Sequence, residues 1–132
     1  MEDNSFSGPV LALKDGKHQR PIPTEWRAAL RDVVQAFAVH DYQINCGIPA
    51  VSPVSVETAQ HIQNNIRDYG ATLAELPEDT WHTSVCIWSG GHWDVLIDLW
   101  TREEGQSDLV LAAQVTEDGS AFAFKIQMIY VP

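Results

Sequence analysis

The stretch that most constrains the fold is WHTSVCIWSGGHWDVLIDLW, residues 81–100. Both of its arms are rich in Val, Ile, Thr and Trp, which favour β-strands. The run Ser89-Gly90-Gly91 between the arms supplies the backbone freedom that a chain reversal needs. The stretch is therefore predicted to form a β-hairpin, around which the other elements must pack.

The hydrophobic pattern also predicts which residues of the two arms lie opposite each other. In an antiparallel pair, a loop with an odd number of residues keeps odd positions opposite odd ones. Apolar residues dominate the odd positions of both arms, so a three-residue loop at residues 89–91 would gather them on one dry face, whereas a two-residue turn would mix the faces. On the mixed, even-position face, three pairs of opposed residues are then expected: His82 with Asp98, Cys86 with Asp94, and Trp88 with His92.

Two helices are predicted before the hairpin. The first covers residues 25–40, with Thr24 as its N-cap, and its apolar residues recur at helical spacing: Trp26, Leu30, Val33, Val34 and Phe37. The second begins at the N-cap Ser55 and ends before Gly70. Residues 41–54 between them are apolar but contain breakers, so an ordered loop over the domain is expected, with Ile48 and Val51 held down.

Three further strands complete the predicted sheet. One covers residues 71–76, and two follow the hairpin. Along the last two, apolar residues move from odd positions (109–115) to even positions (122–130), which demands an even-length turn, assigned to Asp118-Gly119. The predicted fold class is α+β, with two helices packed on one face of a roughly five-stranded antiparallel meander sheet. Residues 1–132 are expected to form a single α+β domain, with residues 1–8 flexible.

Charge narrows the classes of partner. The net charge is −10, and residues 68–124 contain eleven Asp and Glu residues but a single base, Arg102. Such a surface argues against nucleic acid as a partner, since phosphate binding needs a basic surface. A basic protein partner would be attracted, although solubility alone also accounts for negative charge.

Location and redox state follow from the absence of export signals. No apolar run approaches the roughly 20 residues that span a bilayer, so no membrane association is expected. The N-terminal residues are acidic and polar, unlike a signal peptide. Cys46 and Cys86 do not make a disulfide framework and are expected to be reduced thiols of a cytoplasmic protein.

Catalytic and metal-binding signatures are missing from the sequence. Zinc-ligand spacings, phosphate-binding glycine loops and the GxSxG elbow are not present, so no catalytic residue, metal or cofactor is assigned. Their absence favours a non-enzymatic function and leaves a catalytic pocket as the alternative. A His82–Asp98 pair would either orient the imidazole or form an ordinary cross-strand contact. Cys86 is expected to be structural, because the carboxylate of Asp94 would disfavour its thiolate.

The candidate binding residues lie on the mixed face and in the loop that follows it. They are aromatic, imidazole and carboxylate side chains: Trp88, Trp100, His82, His92, Asp94, Asp98, Glu103 and Glu104. Exposed tryptophans beside acids are typical of a protein-binding hot spot or of a small-molecule pocket, whereas a cover from another segment would make the face a second core. By the same parity, Trp81 and Trp93 belong to the main core.

Four segments carry a family resemblance: RPIPTEW, CGIPAVSPVS, CIWSGGHWDVLIDLWT and the ending IYVP. Together they resemble a family of small bacterial domains of unknown function, over most of the chain from about Ile22. This resemblance implies no activity and no functional residue. In architecture, helices followed by a curved antiparallel sheet are similar to cystatin-like and nuclear-transport-factor-like folds, which is an analogy of fold alone.

Three functions remain open at this point. The first is a non-enzymatic acidic binding protein whose sheet half engages a basic protein partner, in the manner of immunity proteins that neutralise toxins. The alternative is a small-molecule-binding or catalytic pocket built from four side chains of the mixed face: His82, His92, Asp94 and Asp98. The third is a homodimer formed through the same face.

Overall fold

The computed structural model describes residues 8–132, so the predicted flexible segment falls almost entirely outside the described residues. The helical elements are a 3-10 turn at Thr24–Trp26, α1 at Arg27–Ala38, α2 at Val56–Tyr69 and a 3-10 turn at Glu78–His82. The strands are β1 (Arg20–Pro21), β2 (Val85–Trp88), β3 (Trp93–Thr101), β4 (Gly105–Asp118) and β5 (Ala121–Tyr130). No helix within residues 8–132 is both long enough and apolar enough to cross a membrane.

The five strands form one antiparallel sheet in sequential order, which confirms the predicted α+β class. The first strand, however, is Arg20–Pro21 and not residues 71–76. Residues 71–76 make a single bridge, between Leu73 and Thr101, beside the part of β3 that lies beyond the end of β2. The contact stays short because the chain turns away at Pro77 into the second 3-10 turn.

The apolar stripes of both helices are buried against the sheet, as predicted. Trp26 is fully buried, and its ring meets those of Trp93 and Phe122 edge to face at centroid distances of 5.3 and 5.4 Å. The predicted cap of the first helix is wrong. The Thr24 hydroxyl instead accepts a hydrogen bond from the Val10 backbone N–H at 2.7 Å, which ties the preceding segment to the helix.

The predicted register of the central hairpin is wrong by one residue. The loop has four residues, 89–92, closed by a 2.8 Å hydrogen bond from the Ser89 N–H to the His92 carbonyl. Val85 therefore pairs with Leu96, and even positions of β2 share a face with odd positions of β3. None of the three predicted mixed-face pairs forms, and the pairs observed at these strand positions are Cys86 with Val95, Ile87 with Asp94 and Trp88 with Trp93.

Packing of a large, half-buried aromatic side chain is the feature that distinguishes this register. The centroid of the Trp88 ring lies 4.6 Å from that of Trp93 on the helix side of the sheet. This register gives Trp88 an edge-to-face contact with Trp93, while Val85 and Ile87 remain half-buried on the other face of the sheet. It therefore adds an aromatic pair and leaves neither Val85 nor Ile87 fully exposed to water. The same register places Cys86 in the core.

The last hairpin confirms the predicted even-length turn, although the two loop residues are Gly119 and Ser120, because Asp118 pairs with Ala121. Gly119 has φ 65°, a conformation that glycine adopts without strain. Ala113 pairs with Ile126 and Ala112 pairs with Met128, so β5 has a bulge between Ile126 and Met128. Beyond this bulge, the buried residues of β5 no longer fall on even positions. Ile129 is buried after the bulge, in place of the expected Met128 and Tyr130.

The loop at residues 41–54 is ordered and lies over the domain, as predicted, with Val51 buried and Ile48 half-buried. It runs parallel to the start of β5, where Phe124 donates from its N–H to Ala50 O at 2.8 Å and accepts at its carbonyl from Ser52 N at 3.0 Å. The loop thus covers part of the free edge of the sheet.

Candidate binding surface

The sheet face that points away from the helices, the outer face, has its own set of residues. They alternate with the buried positions along β2 to β5: Val85, Ile87, Asp94, Leu96, Asp98, Trp100, Val110, Ala112, Gln114, Lys125, Met128 and Tyr130. Only Met128 among them also packs against the core that the helices cover. The outer face is therefore a second surface of the sheet, separate from the main core.

A row of apolar residues crosses this face. Val85 pairs with Leu96, Leu96 with Ala112, and Ala112 with Met128, which defines the apolar row. Each of the four side chains is half-buried. Since neighbouring strands lie about 4.8 Å apart, the row is about 14 Å long. It forms a continuous apolar strip that runs across the strands.

One carboxylate lies on each side of the apolar row. Asp94 and Asp98 are two positions before and two positions after Leu96 on β3, which separates them by about 13 Å along an extended strand. Asp98 is half-buried, and its backbone is held by hydrogen bonds with the hydroxyls of Thr80 and Ser84. Within residues 8–132 its carboxylate forms no salt bridge.

Asp94 is more heavily engaged, because it organises the tip of the hairpin. Its two carboxylate oxygens contact the Ser89 hydroxyl at 2.6 Å and the Nε2 atom of His92 at 3.0 Å. The carboxylate lies between the serine and the histidine, so the imidazole is not placed to take a proton from Ser89, as a nucleophilic triad would require. Ser89, His92 and Asp94 therefore stabilise the loop at residues 89–92.

The two histidines of the predicted site are not brought together. His82 is exposed at the end of a 3-10 turn, ahead of β2, and is not paired with Asp98. Five surface clefts of residues 8–132 are lined by other parts of the chain, and none of the five includes His82, His92, Asp94 or Asp98. The described residues also contain no group of three or more His, Cys, Asp and Glu side chains placed to hold a metal ion.

The two tryptophans predicted on one face lie on opposite faces of the sheet. Trp100 is on the outer face, half-buried beside Gly105, the first residue of β4. Trp88 is on the helix side against Trp93, with the Lys14 ammonium 5.2 Å from the centroid of its ring. Only Trp100 can therefore contribute to a surface shared with Asp98.

Glu103 and Glu104 point toward the end of α2. Glu103 accepts hydrogen bonds from the N–H and the hydroxyl of Thr72 at 2.8 and 2.9 Å, and these bonds hold its pKa below the usual range. Glu104 accepts from the Tyr69 hydroxyl at 2.7 Å. Both carboxylates thus anchor the turn between β3 and β4, while still adding to the negative field around it.

Neither cysteine is activated. Cys86 lies in the core with its Sγ 3.6 Å from the Pro21 carbonyl, and burial raises the pKa of its thiol to about 11. The cause is desolvation, not the predicted proximity of Asp94. Cys46 is exposed, and a hydrogen bond to the Asp41 carboxylate raises the pKa of its thiol as well. Both side chains are therefore protonated at neutral pH, which is unfavourable for a nucleophile.

The outer residues of β4 were missed by reasoning from the sequence. The run Leu109-Val110-Leu111-Ala112-Ala113 is apolar at odd and even positions alike. Such a run is typical of a strand with apolar residues on both faces. Considered that way, it would have indicated that the outer face is also apolar at its centre.

The comparisons with known proteins identify a family and no activity. No curated protein and no solved structure matches the chain. One family model matches residues 34–132, three quarters of the chain, and this range contains the whole outer face. The chain belongs to the family described as Domain of unknown function (DUF7668).

Proposed function

We propose that this protein is a non-enzymatic acidic binding protein that engages a basic protein partner through the outer face of its sheet. The observation that carries the proposal is the apolar row with a carboxylate on each side, on the face that the helices leave open. Continuous apolar surface rimmed by polar groups marks interaction sites on soluble proteins.

Charge supports a basic partner. The net charge is −10, and residues 68–124 carry eleven acids and one base. A field of this sign speeds the approach of a positively charged protein and disfavours acidic competitors. In our proposal, Asp94 and Asp98 make direct contacts, whereas Glu103 and Glu104 contribute mainly to the field.

Size, charge and free thiols support an immunity-type role in the cytoplasm. A small acidic protein that covers the basic surface of a toxin needs no catalytic residue, only a complementary face. The cysteines are free, one exposed and one buried, which suits a reducing compartment. We therefore propose a cytoplasmic protein whose partner is a basic protein of the same cell.

Site-specific photo-crosslinking tests the proposal. Benzoylphenylalanine would replace Ile87 on the outer face or, as a control, the exposed His61 of α2. We expect irradiation of cells to link a protein of basic isoelectric point to position 87 and not to position 61. Crosslinks of equal yield at both positions, or to acidic proteins only, would contradict the proposed face and the proposed partner.

Charge reversal gives the second arm of the experiment. The variant Asp98→Lys, which leaves the hydrogen bonds of Asp94 at the hairpin tip intact, changes the net charge by as much as Glu57→Lys, whose glutamate is exposed on α2. We expect Asp98→Lys to weaken the crosslink strongly and Glu57→Lys to reduce it at most slightly. Equal loss in both would show that only net charge matters and that the outer face has no special role.

A further inference from the structure

We infer that the element of the partner that binds is an amphipathic α-helix with basic flanks, lying along the apolar row and across the strands. This inference, which rests on the proposed function, names the structural class of the partner. It follows from three features: the blocked edges of the sheet, the dimensions of the apolar row and the position of the two aspartates.

Strand addition is disfavoured because both edges of the sheet are obstructed. Along the edge of the sheet that β5 forms, the start of the strand is already hydrogen-bonded to Ala50 and Ser52. Nearer the end of β5, the Ile129 carbonyl accepts a hydrogen bond from the Asn65 side-chain amide at 2.9 Å. The opposite edge strand, β1, has two residues, and one of them is Pro21, which has no N–H. An extended peptide therefore finds no long row of free backbone groups to pair with.

The dimensions of the apolar row match a helix. The aspartates on its two sides are about 13 Å apart along β3, and a helix with its side chains is about 10–12 Å wide. The row is about 14 Å long, which about ten helical residues would cover at 1.5 Å per residue. A helix with apolar residues at positions i, i+3 or i+4, and i+7 would place that stripe on Val85, Leu96 and Ala112.

The charges predict an asymmetric arrangement of bases on that helix. Asp98 has no salt bridge within residues 8–132. Asp94, in contrast, contacts His92, and Lys125 lies two strands away on the same face, because Asp94 pairs with Gln114 and Gln114 pairs with Lys125. Among the described residues, the negative charge on the Asp98 side of the row is therefore the less compensated of the two. We expect the flank of the bound helix that faces Asp98 and Trp100 to carry more Lys and Arg than the opposite flank.

A designed peptide tests this inference with the whole protein. The probe is an 18-residue amidated peptide of Leu, Lys and Ala in which leucines form one helical stripe and lysines flank it. The controls are a scrambled peptide of the same composition and a Leu-Lys peptide with strict alternation, which favours an extended strand. Affinity is measured by calorimetry, and the binding face by amide chemical-shift changes in NMR spectra.

We expect the helical probe to bind at least tenfold more tightly than the scrambled peptide, with shift changes centred on Leu96 and Ala112. Leu96→Asp is expected to weaken binding at least tenfold, while Glu57→Lys changes it less than twofold. Asp98→Lys, which leaves the apolar row intact, is expected to weaken binding by a similar factor and keeps the test valid if Leu96→Asp does not fold.

Several outcomes would overturn the inference. These are equal binding of the scrambled peptide, shift changes confined to the helices, and a dimer in light scattering that dissociates in Leu96→Asp. If the alternating peptide binds the outer face and the helical probe does not, the helix is wrong while the proposed face stands. If no basic peptide binds the outer face, the proposed function fails together with the inference.

Discussion

Glu103 holds two parts of the chain together with one carboxylate. It accepts hydrogen bonds from the backbone N–H and the hydroxyl of Thr72, which lies just before the bridge between Leu73 and Thr101. These bonds favour the charged form and lower the pKa of the carboxyl group. Protonation of Glu103 therefore opposes the folded state.

This coupling predicts a specific pH dependence. The folded-state pKa of Glu103 lies below its unfolded value of about 4.3, so its stabilising effect is fully present above that value and is lost as pH falls through the folded pKa. As pH falls below about 4.3, we expect the free energy of unfolding to decrease less steeply in Glu103→Gln than in the wild type. Urea titrations at several pH values measure it, and an unchanged slope relative to the wild type would contradict the assignment.

The two thiols differ in their access to solvent, while the pKa of each is raised. Cys86 lies in the core under Pro21, and Cys46 lies in the loop at residues 41–54 beside Asp41. The Asp41 carboxylate accepts hydrogen bonds from the N–H groups of Asn45 and Cys46, so it shapes the loop and suppresses the thiolate together.

Alkylation kinetics distinguish the two thiols. We expect iodoacetamide to label Cys46 alone in the folded protein and Cys86 only after unfolding, because exposure limits the second reaction. Asp41→Asn is expected to move the midpoint of the pH–rate profile of Cys46 to lower pH, since the carboxylate raises that pKa. A higher rate with an unchanged midpoint would show that loop opening, not charge, was altered.

The two helices differ in how their ends are held. The Ser55 side chain caps α2 by accepting from the Thr58 N–H at 3.1 Å, and Gly70 ends the helix at φ 85°. Helix α1 has no such cap. It is followed by His40 at φ 67°, a left-handed backbone conformation that costs free energy for any residue other than glycine. Tertiary contacts therefore contribute more to α1, and local signals more to α2.

Removal of the Ser55 cap tests the contribution of these local signals. Ser55→Ala leaves the Thr58 N–H without its side-chain acceptor, so we expect the free energy of unfolding to fall by about 1 kcal/mol. Ser55→Asn, which restores a capping oxygen, is the matched control and is expected to recover most of the loss. Urea denaturation followed by circular dichroism measures both variants, and equal losses would show that capping is not the cause.

The folded unit extends beyond the residues that the family model matches. The match begins at residue 34, yet Ile22 and Trp26 are both fully buried and belong to the main core. Trp26 contacts the start of β3 through Trp93 and the start of β5 through Phe122. Residues before the match therefore stabilise the sheet that carries the outer face.

Truncation of Trp26 measures this dependence. We expect Trp26→Ala to lower the free energy of unfolding by about 3–5 kcal/mol, a large part of the 5–15 kcal/mol typical of a domain. Val56→Ala, at an exposed position of α2, is expected to change it by less than about 0.5 kcal/mol. Chemical denaturation of both variants provides the comparison, and a small effect at Trp26 would mean that the aromatic cluster repacks without it.

The sequence by itself determined the features that depend on neighbouring residues. Helical spacing identified the buried stripes, Ser55 and Gly70 marked the ends of α2, and the change of parity between β4 and β5 required an even-length turn. Each of these signals acts within a few residues, where spacing and backbone preference decide the local structure. They were sufficient to predict the α+β class and the helix layer.

Only the tertiary structure decided the hairpin register and, with it, the candidate site. Strand β2 has four residues, all apolar, so its alternation does not say which face turns inward. The packing of Trp88 on Trp93 settles that choice and separates Trp88 from Trp100. The outer face follows from pairings between residues distant in sequence, such as Leu96 with Ala112, which no local pattern contains.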